Sequence, residues 1–388
     1  MNQTAKLIIF MLIPYSNHAC SFNFPSPKGP HSIGTRAYHL IDKNRQETHV
    51  HDINHPYREL MIQIWYPSQD HKSQSPVTSY DSDAVTLARQ QHGFSGYGAH
   101  FIRTYAKHKA ALSSAHACYP VIIVSHGISG LRTNHTAQAE ELASHGYIVV
   151  SIGHTYATAI TTFPDKRIVT GIINNQDLQT KEDCDRELII HIKDVCFVMD
   201  QLEIMNQQEN GMFKKSLDLK NIGIYGHSFG GAVATQVCRL DNRCKACINL
   251  DGALLGDNAT VAFNKPYMAI RSGKMLTSFW KHSEEEAHKH GLSKEQSAQN
   301  MYGRYIFSVP DLCENIGSDA YNIVINDAEH NSFTDEPLIE CSLLYNRFWA
   351  LFNGNASYKK ACKLNDIINA YLIKFFDKYL TFCIGKDY

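Results

Sequence analysis

The chain has 388 residues, of which 44% are hydrophobic, and its 37 Lys and Arg residues nearly balance its 38 Asp and Glu residues, for a net charge of −1. This hydrophobic fraction supports a large buried core and excludes a disordered or low-complexity chain. The balanced charge leaves no sequence-wide basic field, so we expect no nucleic-acid partner. The 21 His and 11 Cys residues raise the question of metal sites or disulfides.

The N-terminus has the features of a secretory signal peptide. Lys6 precedes an apolar run over residues 7–13, which is shorter than the roughly 20 residues of a membrane-spanning helix. A basic start, a short apolar stretch and small residues at its end are typical of export, so we predict a signal peptide over residues 1–21 and a secreted or periplasmic protein. Two alternatives stay open: a lipid anchor at Cys20, which Asn17 disfavours, and a buried N-terminal strand.

The cysteines indicate disulfides only weakly. Export would remove Cys20 with the signal and leave an even number of cysteines, which permits disulfides in an oxidising compartment. Cys238, Cys244 and Cys247 form the closest group, but a lone C-x-x-C without a second pair is weak evidence for zinc. We therefore expect either a local disulfide or buried thiols there, and no metal site.

Apolar runs alternate with helical patterns along the chain. Fully apolar or alternating runs predict strands over residues 58–66, 120–125, 147–152, 221–225, 246–250, 267–270 and 321–326. Apolar residues at helical spacing predict helices over about residues 136–144, 186–206, 229–238 and 366–380. This alternation is typical of an α/β fold with a mostly parallel central sheet covered by helices on both faces.

We predict a single domain over residues 22–388, because no repeat and no Pro/Ser/Gly-rich linker divides the chain. Two polar segments, at about residues 67–117 and 272–318, are long for connections, and we interpret them as cap or lid insertions. Within the first insertion, residues 101–112 are predicted to form a helix, either a plain cap helix or an amphipathic helix that touches a membrane.

The first motif that indicates chemistry is G-x-S-x-G around Ser228. Gly226 and Gly230 flank this serine, an apolar strand precedes it and a helix follows it. This context is typical of a nucleophile elbow, in which the serine sits in a sharp strand-to-helix turn with its hydroxyl exposed. The alternative is a glycine-rich turn without chemistry. We predict that Ser228 is a nucleophile.

A serine nucleophile needs a base and an acid that orients the base. His330 lies in the loop after the last predicted strand, and Asp251 ends the strand that follows the nucleophile helix. Both positions suit the Ser–acid–His chain order of α/β-hydrolases. Asp327 is an alternative acid, although a residue so close to His330 in one loop is poorly placed to orient its ring.

A second glycine loop predicts an oxyanion hole. Residues 125–129 follow a strand that precedes the nucleophile strand, where the oxyanion loop of this fold lies. The backbone N–H groups of Ile128 and of Phe229, the residue after the nucleophile, are the predicted donors. An ordinary glycine turn is the alternative. We expect the neighbouring His126 and His227 to shape these loops without transferring protons.

Several motifs resemble the plasma-type and intracellular type II platelet-activating factor acetylhydrolases and their bacterial relatives. The similar segments are residues 29–34, 58–67, 124–127, 142–149, 226–232, 249–252, 329–333 and 375–380. The resemblance implies an α/β-hydrolase fold and places the acid at Asp251, which follows Ser228 at the family's short spacing. It also implies that Ile128 and Phe229 are the oxyanion donors.

Together these observations predict a serine esterase that works through an acyl-enzyme and needs no metal or organic cofactor. The resemblance implies that the substrate is a phospholipid with a short or oxidised acyl chain, and that the protein makes transient contact with a membrane or lipoprotein surface. A general carboxylesterase, lipase or polyester hydrolase on the same triad is the alternative. A catalytically inactive binding protein and an acyltransferase are further hypotheses. The sequence indicates no oligomeric state.

Overall fold

The computed structural model describes residues 23–70, 78–80, 82–93, 98–99, 101–343 and 356–380. The predicted signal peptide and Cys20 lie outside these residues. The strands are β1 (Ser32–Gln46), β2 (Tyr57–Ser68), β3 (Thr78–Ser79), β4 (Arg103–Thr104), β5 (Lys107–His108), β6 (Tyr119–Ser125), β7 (Ile148–Gly153), β8 (Ile160–Thr162), β9 (Ile168–Thr170), β10 (Leu217–His227), β11 (Cys244–Leu250), β12 (Tyr267–Ser272) and β13 (Ala320–Ile325). The α-helices are α1 (Ser82–His92), α2 (Thr136–Ser144), α3 (Lys181–Gln207), α4 (Phe229–Leu240), α5 (Gly273–His290), α6 (Lys294–Ile306), α7 (Ser308–Ile316), α8 (Glu336–Ser342) and α9 (Ala356–Tyr379).

Nine of these strands form one sheet in the order β13-β12-β11-β10-β6-β7-β2-β1-β5. Strands β6, β7, β10, β11, β12 and β13 pair in parallel, whereas β2 pairs antiparallel with both β7 and β1. Because the carboxyl ends of parallel strands meet at one edge, the loops after β6, β10, β11 and β13 come together there. The predicted mostly parallel α/β sheet is confirmed.

Helices cover both faces of the sheet. On β6, Val121 and Ile123 belong to one buried cluster, and Ile122 and Val124 to the other. The first cluster contains apolar residues of α3, α4 and α7, and the second contains those of α2 and α9. Strands buried on both sides are therefore mostly apolar, which is why their sequences are nearly continuous hydrophobic runs.

The two predicted insertions differ in structure. The second contains three helices, α5, α6 and α7, between β12 and β13. In the first, the predicted helix over residues 101–112 is wrong, because this segment contributes the short strands β4 and β5. The backbone N–H groups of Tyr105 and Ala106 donate to the buried Glu140 carboxylate, which holds the segment extended.

Strand β1 was not predicted, because its sequence mixes apolar residues with Arg, His, Asp and Lys. It is held by antiparallel pairing with β2, in register from Ser32 opposite Ser68 to Asp42 opposite Arg58, and the register then shifts before Gln46 pairs with Tyr57. A partner strand fixes such a polar edge strand more than its own pattern does.

The cysteines in the described part of the chain are free thiols, and the group Cys238, Cys244 and Cys247 is buried between α4 and β11. This agrees with the buried-thiol alternative at that place. No helix in the described ranges is both long and apolar enough to cross a bilayer.

Candidate active site

Ser228 occupies a strained turn between β10 and α4. Its backbone has φ 55° and ψ −120°, a region that residues with a Cβ rarely adopt. A Cβ on Gly226 would overlap the carbonyl of Gly230, and a Cβ on Gly230 would overlap the carbonyl of Ser125. Only glycines fit at these two positions, which explains the motif in physical terms. The turn has the shape of the predicted nucleophile elbow.

His330 reaches Ser228 from the loop after β13. It begins a short 3₁₀ turn, His330–Phe333, and its Nε2 atom lies 2.9 Å from Ser228 Oγ. Its Nδ1 atom lies 2.7 Å from Asp251 Oδ2. The structure thus brings the three predicted side chains into one hydrogen-bonded chain.

Asp251 follows β11, and its carboxylate is fully buried while the His330 ring is 30% exposed. Besides His330, the carboxylate accepts a 2.7 Å hydrogen bond from the Ser272 N–H at Oδ1. Asp327, the alternative acid, is exposed, and within the described residues it has no hydrogen bond with His330. The geometry therefore pairs His330 with Asp251.

The loop after β6 lies directly against Ser228. A Cβ on Gly127 would stand 3.0 Å from Ser228 Cβ. The N–H groups of Ser129 and Gly130, which follow Ile128 in this loop, donate to the carbonyls of Ala157 and Gly127, respectively. Phe229 is the first residue of α4, where an N–H has no intrahelical acceptor. The N–H groups of Ile128 and Phe229 stay the predicted oxyanion donors.

His227 supports the loop that carries His330. Burial and the nearby charges of His330 and His135 lower its pKa well below the ordinary value, so the ring is neutral at physiological pH. Its Nε2–H donates to the backbone carbonyl of His330 at 2.9 Å. This contact agrees with a shaping role rather than proton transfer.

Two residues that the sequence did not indicate, Tyr305 and Arg271, help to hold the Asp251 carboxylate. The Tyr305 hydroxyl, on α6 of the second insertion, donates to Asp251 Oδ1. Burial and the Asp251 charge raise the pKa of Tyr305, so the phenol keeps its proton and acts as the donor. The Arg271 guanidinium lies over the Tyr305 ring at 4.9 Å and donates to the Tyr305 carbonyl. No local motif links these residues to Asp251, since Tyr305 comes from a segment predicted only as an insertion.

The family model for platelet-activating factor acetylhydrolase, isoform II, matches residues 17–170 and 165–387 of the chain. The chain belongs to this family. A bovine platelet-activating factor acetylhydrolase is 29% identical over 254 residues, covering 54% of this chain and 54% of the bovine protein. A probable 1-alkyl-2-acetylglycerophosphocholine esterase of Arthroderma benhamiae is 25% identical over 344 residues, covering 79% of this chain and 83% of that protein. The chain thus spans about half the length of the bovine relative.

This member of the acetylhydrolase family has the α/β-hydrolase fold. The ferulic acid esterase from Streptomyces cinnamoneus superposes on it with a TM-score of 0.65 and 23% sequence identity, covering 92% of this chain and 93% of the esterase. At this identity the likeness describes the fold alone. The predicted fold and the family resemblance are confirmed.

Proposed function

We propose that this protein is a serine ester hydrolase that works through an acyl-enzyme. The observation that carries the proposal is the hydrogen-bonded chain from Ser228 through His330 to Asp251 at the carboxyl edge of the sheet. Membership of the acetylhydrolase family supports the same reaction class.

The proposed reaction follows from the positions of these groups. Ser228 Oγ attacks the ester carbonyl carbon while its proton passes to His330 Nε2, and the N–H groups of Ile128 and Phe229 hold the oxyanion. The intermediate collapses, the C–O bond to the alcohol breaks, and His330 protonates the leaving oxygen. Water then attacks the acyl-enzyme with His330 as base, which releases the acid and restores Ser228.

Asp251 has an orienting role in this scheme. Its Oδ2 accepts the Nδ1–H of His330, which fixes the tautomer with Nε2 free to accept the serine proton. Its other oxygen is held by Ser272 and Tyr305, so the carboxylate cannot turn away. A fixed carboxylate also stabilises the imidazolium that forms during each step.

We further propose that the substrate is a phospholipid with a short or oxidised acyl chain, presented at a membrane or lipoprotein surface. Family membership supports this, as do the names of the bovine and Arthroderma benhamiae relatives. A general carboxylesterase, lipase or polyester hydrolase would use the same residues, so substrate preference separates these functions.

The test compares hydrolysis of a short-acyl phosphocholine with that of simple alkyl esters by the wild type and Ser228→Ala. We expect the phosphocholine to be cleaved with the higher kcat/KM, and the variant to lose several orders of magnitude on both substrates. Hydrolysis of alkyl esters alone would overturn the phospholipid assignment. Undiminished activity of the variant would overturn the serine mechanism itself.

We also propose that the protein is exported and that residues 22–388 form one catalytic domain. Lys6 and the apolar run after it support export. Nine strands, including both β1 and β13, share one sheet, which supports a single domain. N-terminal sequencing of protein recovered from a periplasmic or culture fraction tests both the compartment and the expected cleavage after Ser21. A protein that keeps Met1 and stays in the cytoplasm would contradict the proposal.

A further inference from the structure

A second Ser–His–Asp chain lies behind the proposed oxyanion hole. Ser125 ends β6, and its Oγ atom lies 3.0 Å from Nε2 of His154, which follows β7. His154 Nδ1 lies 3.0 Å from Oδ2 of Asp194, on α3. We call these three residues the buried relay. The order of atoms is the same as in Ser228, His330 and Asp251.

The charges within the buried relay are well defined. Burial and the neighbouring His191 lower the pKa of His154 to about 4, so its ring is neutral at physiological pH. Burial alone would raise the pKa of Asp194, but Arg58 and His154 lower it well below the ordinary value. The Nδ1–H of His154 therefore donates to the Asp194 carboxylate, and Nε2 accepts a hydrogen bond from the Ser125 hydroxyl.

No substrate reaches this serine. Ser125, His154 and Asp194 are all 0% exposed. A nucleophile needs room beside its oxygen for a carbonyl carbon, and close packing around Ser125 leaves none. The buried relay must therefore act on other parts of the protein.

The contacts of the buried relay lead toward the two residues of the proposed oxyanion hole. Through its side chain, His154 holds Ser125, three residues before Ile128. Its backbone N–H also donates to His126 Nε2 at 3.1 Å, and His126 Nδ1–H donates to the Gly127 carbonyl at 2.7 Å. These two routes both end in the loop that carries Ile128.

The orientation of the Gly127 carbonyl sets the direction of the Ile128 N–H. A trans peptide is planar, so its C=O and N–H point in opposite directions, and the described chain contains no cis peptide bond. The Gly127 carbonyl accepts from His126 Nδ1–H and, at 2.9 Å, from the Gly130 N–H. Because these two donors fix the orientation of the Gly127 carbonyl, they also fix the direction in which the Ile128 N–H points.

The other proposed donor, Phe229, is reached through stacked rings. The His154 and His191 rings are parallel, with centroids 3.9 Å apart and planes 5° apart. The His191 ring meets the Phe229 ring edge-on at 5.3 Å. Arg45 and Arg58 fix the far end of the buried relay by donating to the Asp194 carboxylate.

From these contacts we infer that Ser125, His154 and Asp194 are positioning residues that hold the Ile128 N–H in place to receive the oxyanion. The inference rests on the proposed ester hydrolysis, but it concerns the transition state alone. A loosened loop would weaken stabilisation of the tetrahedral oxyanion and leave binding of the uncharged ester almost unchanged.

Ser125→Ala is the test variant, because it removes one oxygen atom and leaves His154 and Asp194 paired. Ser151→Ala is the matched control. Ser151 lies on β7 opposite Val124, is 1% exposed, and its hydroxyl has no hydrogen-bond partner among the described residues. Both substitutions delete a buried hydroxyl from the same region of the sheet.

For Ser125→Ala we expect kcat on a short-chain ester to fall about tenfold to hundredfold, below the about 10²–10³ for a direct oxyanion donor. KM should stay within about threefold, because ground-state binding is not the target. The inhibition constant of a short alkyl trifluoromethyl ketone, which forms a tetrahedral oxyanion on the serine, should rise by the same factor as kcat falls. Ser151→Ala should change neither quantity.

Three results would overturn the inference: equal kcat values for Ser125→Ala and Ser151→Ala, a kcat loss without the matching rise in inhibition constant, or a loss that only follows the unfolded fraction measured by denaturation. Ser228→Ala separates this failure from that of the proposed function. If Ser228→Ala is inactive and Ser125→Ala is not impaired, only the positioning role fails.

Discussion

Two Ser–His–Asp chains in this molecule have nearly the same hydrogen bonds and opposite exposure. In one, which we call the exposed chain and which consists of Ser228, His330 and Asp251, His330 lies 2.9 Å from Ser228 Oγ and its side chain is 30% exposed. In the other, His154 lies 3.0 Å from Ser125 Oγ, and its side chain is fully buried. Residue types and distances alone do not distinguish the two serines.

The backbone and the surroundings separate them. Ser228 sits at a positive φ in a turn, with a helix N-terminus behind it, whereas Ser125 is the last residue of a regular strand. His154 also bonds to Asp194, whose carboxylate accepts hydrogen bonds from two arginines, whereas the Asp251 carboxylate accepts from uncharged donors. A triad therefore indicates a nucleophile only where the serine is presented to a substrate, and the same groups, when buried, act on neighbouring parts of the protein.

The largest expected effect comes from replacing the aspartate of each Ser–His–Asp chain with asparagine. Asp251→Asn should lower kcat by about 10⁴, because the amide no longer fixes the required histidine tautomer. Its free energy of unfolding should change by only about 1 kcal/mol, since no cation loses its partner. Ester hydrolysis and urea denaturation measure the two quantities.

Asp194→Asn is the counterpart and should show the reverse pattern. It leaves the Arg45 and Arg58 guanidinium groups without their shared carboxylate in a buried site, which typically costs about 3–5 kcal/mol. Its kcat per folded molecule should fall no further than that of Ser125→Ala, about tenfold to hundredfold, because Asp194 acts only through the position of the oxyanion loop. If Asp194→Asn loses activity as strongly as Asp251→Asn at equal folded fraction, the distinction between the two chains is wrong.

The sequence predicts the exposed chain well because its signals are local. Gly226 and Gly230 are needed by the turn itself, and Asp251 and His330 each follow an apolar strand. Apolar runs such as Val121 to Val124 predict strands equally well, because burial on both faces favours apolar residues.

The remaining features depend on contacts between distant segments. Ser125, His154 and Asp194 come from two strand ends and one helix, at no motif spacing. Tyr305 reaches Asp251 from a helix whose sequence shows only that it is polar. The segment around Tyr105 was predicted to be helical, but it is extended because its backbone donates to the buried Glu140 carboxylate. Tertiary contacts override local preference at these places, and a single sequence does not contain them.

A smaller effect is expected from His49, at the edge of the network that surrounds the buried relay. Its ring bonds Glu47 and Glu187, and Glu187 lies 3.1 Å from His191. Burial alone would lower the pKa of His49, but the hydrogen bonds to Glu187 and Glu47 raise it to about 9. A folded-state pKa above that of the unfolded chain stabilises the fold fully below about pH 6.5, and this stabilisation is lost as pH rises toward 9.

The expected loss is about 3 kcal/mol between pH 6.5 and 9, since each unit of pKa shift corresponds to about 1.4 kcal/mol. Urea denaturation of the wild type and His49→Gln across this range measures it. The variant should be less stable at pH 6.5, and the two proteins should converge at pH 9. A constant difference across the range would show that the His49 charge does not matter.

The smallest effect is expected from Tyr305→Phe, which sharpens the comparison from the side of the exposed chain. The change removes the hydroxyl that donates to Asp251 Oδ1 and keeps the ring against Phe279 and Arg271. Asp251 retains its bonds to Ser272 and His330. We expect kcat to fall by about threefold to tenfold and the free energy of unfolding by about 1–2 kcal/mol.

Tyr302→Phe is the control, because it makes the same change on the same helix at a ring that stacks on Phe279, 4.1 Å between centroids, without a bond to Asp251. If both variants lower kcat equally, the effect belongs to packing of α6 rather than to the acid. A loss confined to Tyr305→Phe would mean that the second insertion takes part in orienting the His330 ring. In that case the exposed chain also depends on a residue outside its motif. It then differs from the buried relay in the access of a substrate to its serine, and not in the way its side chains are held.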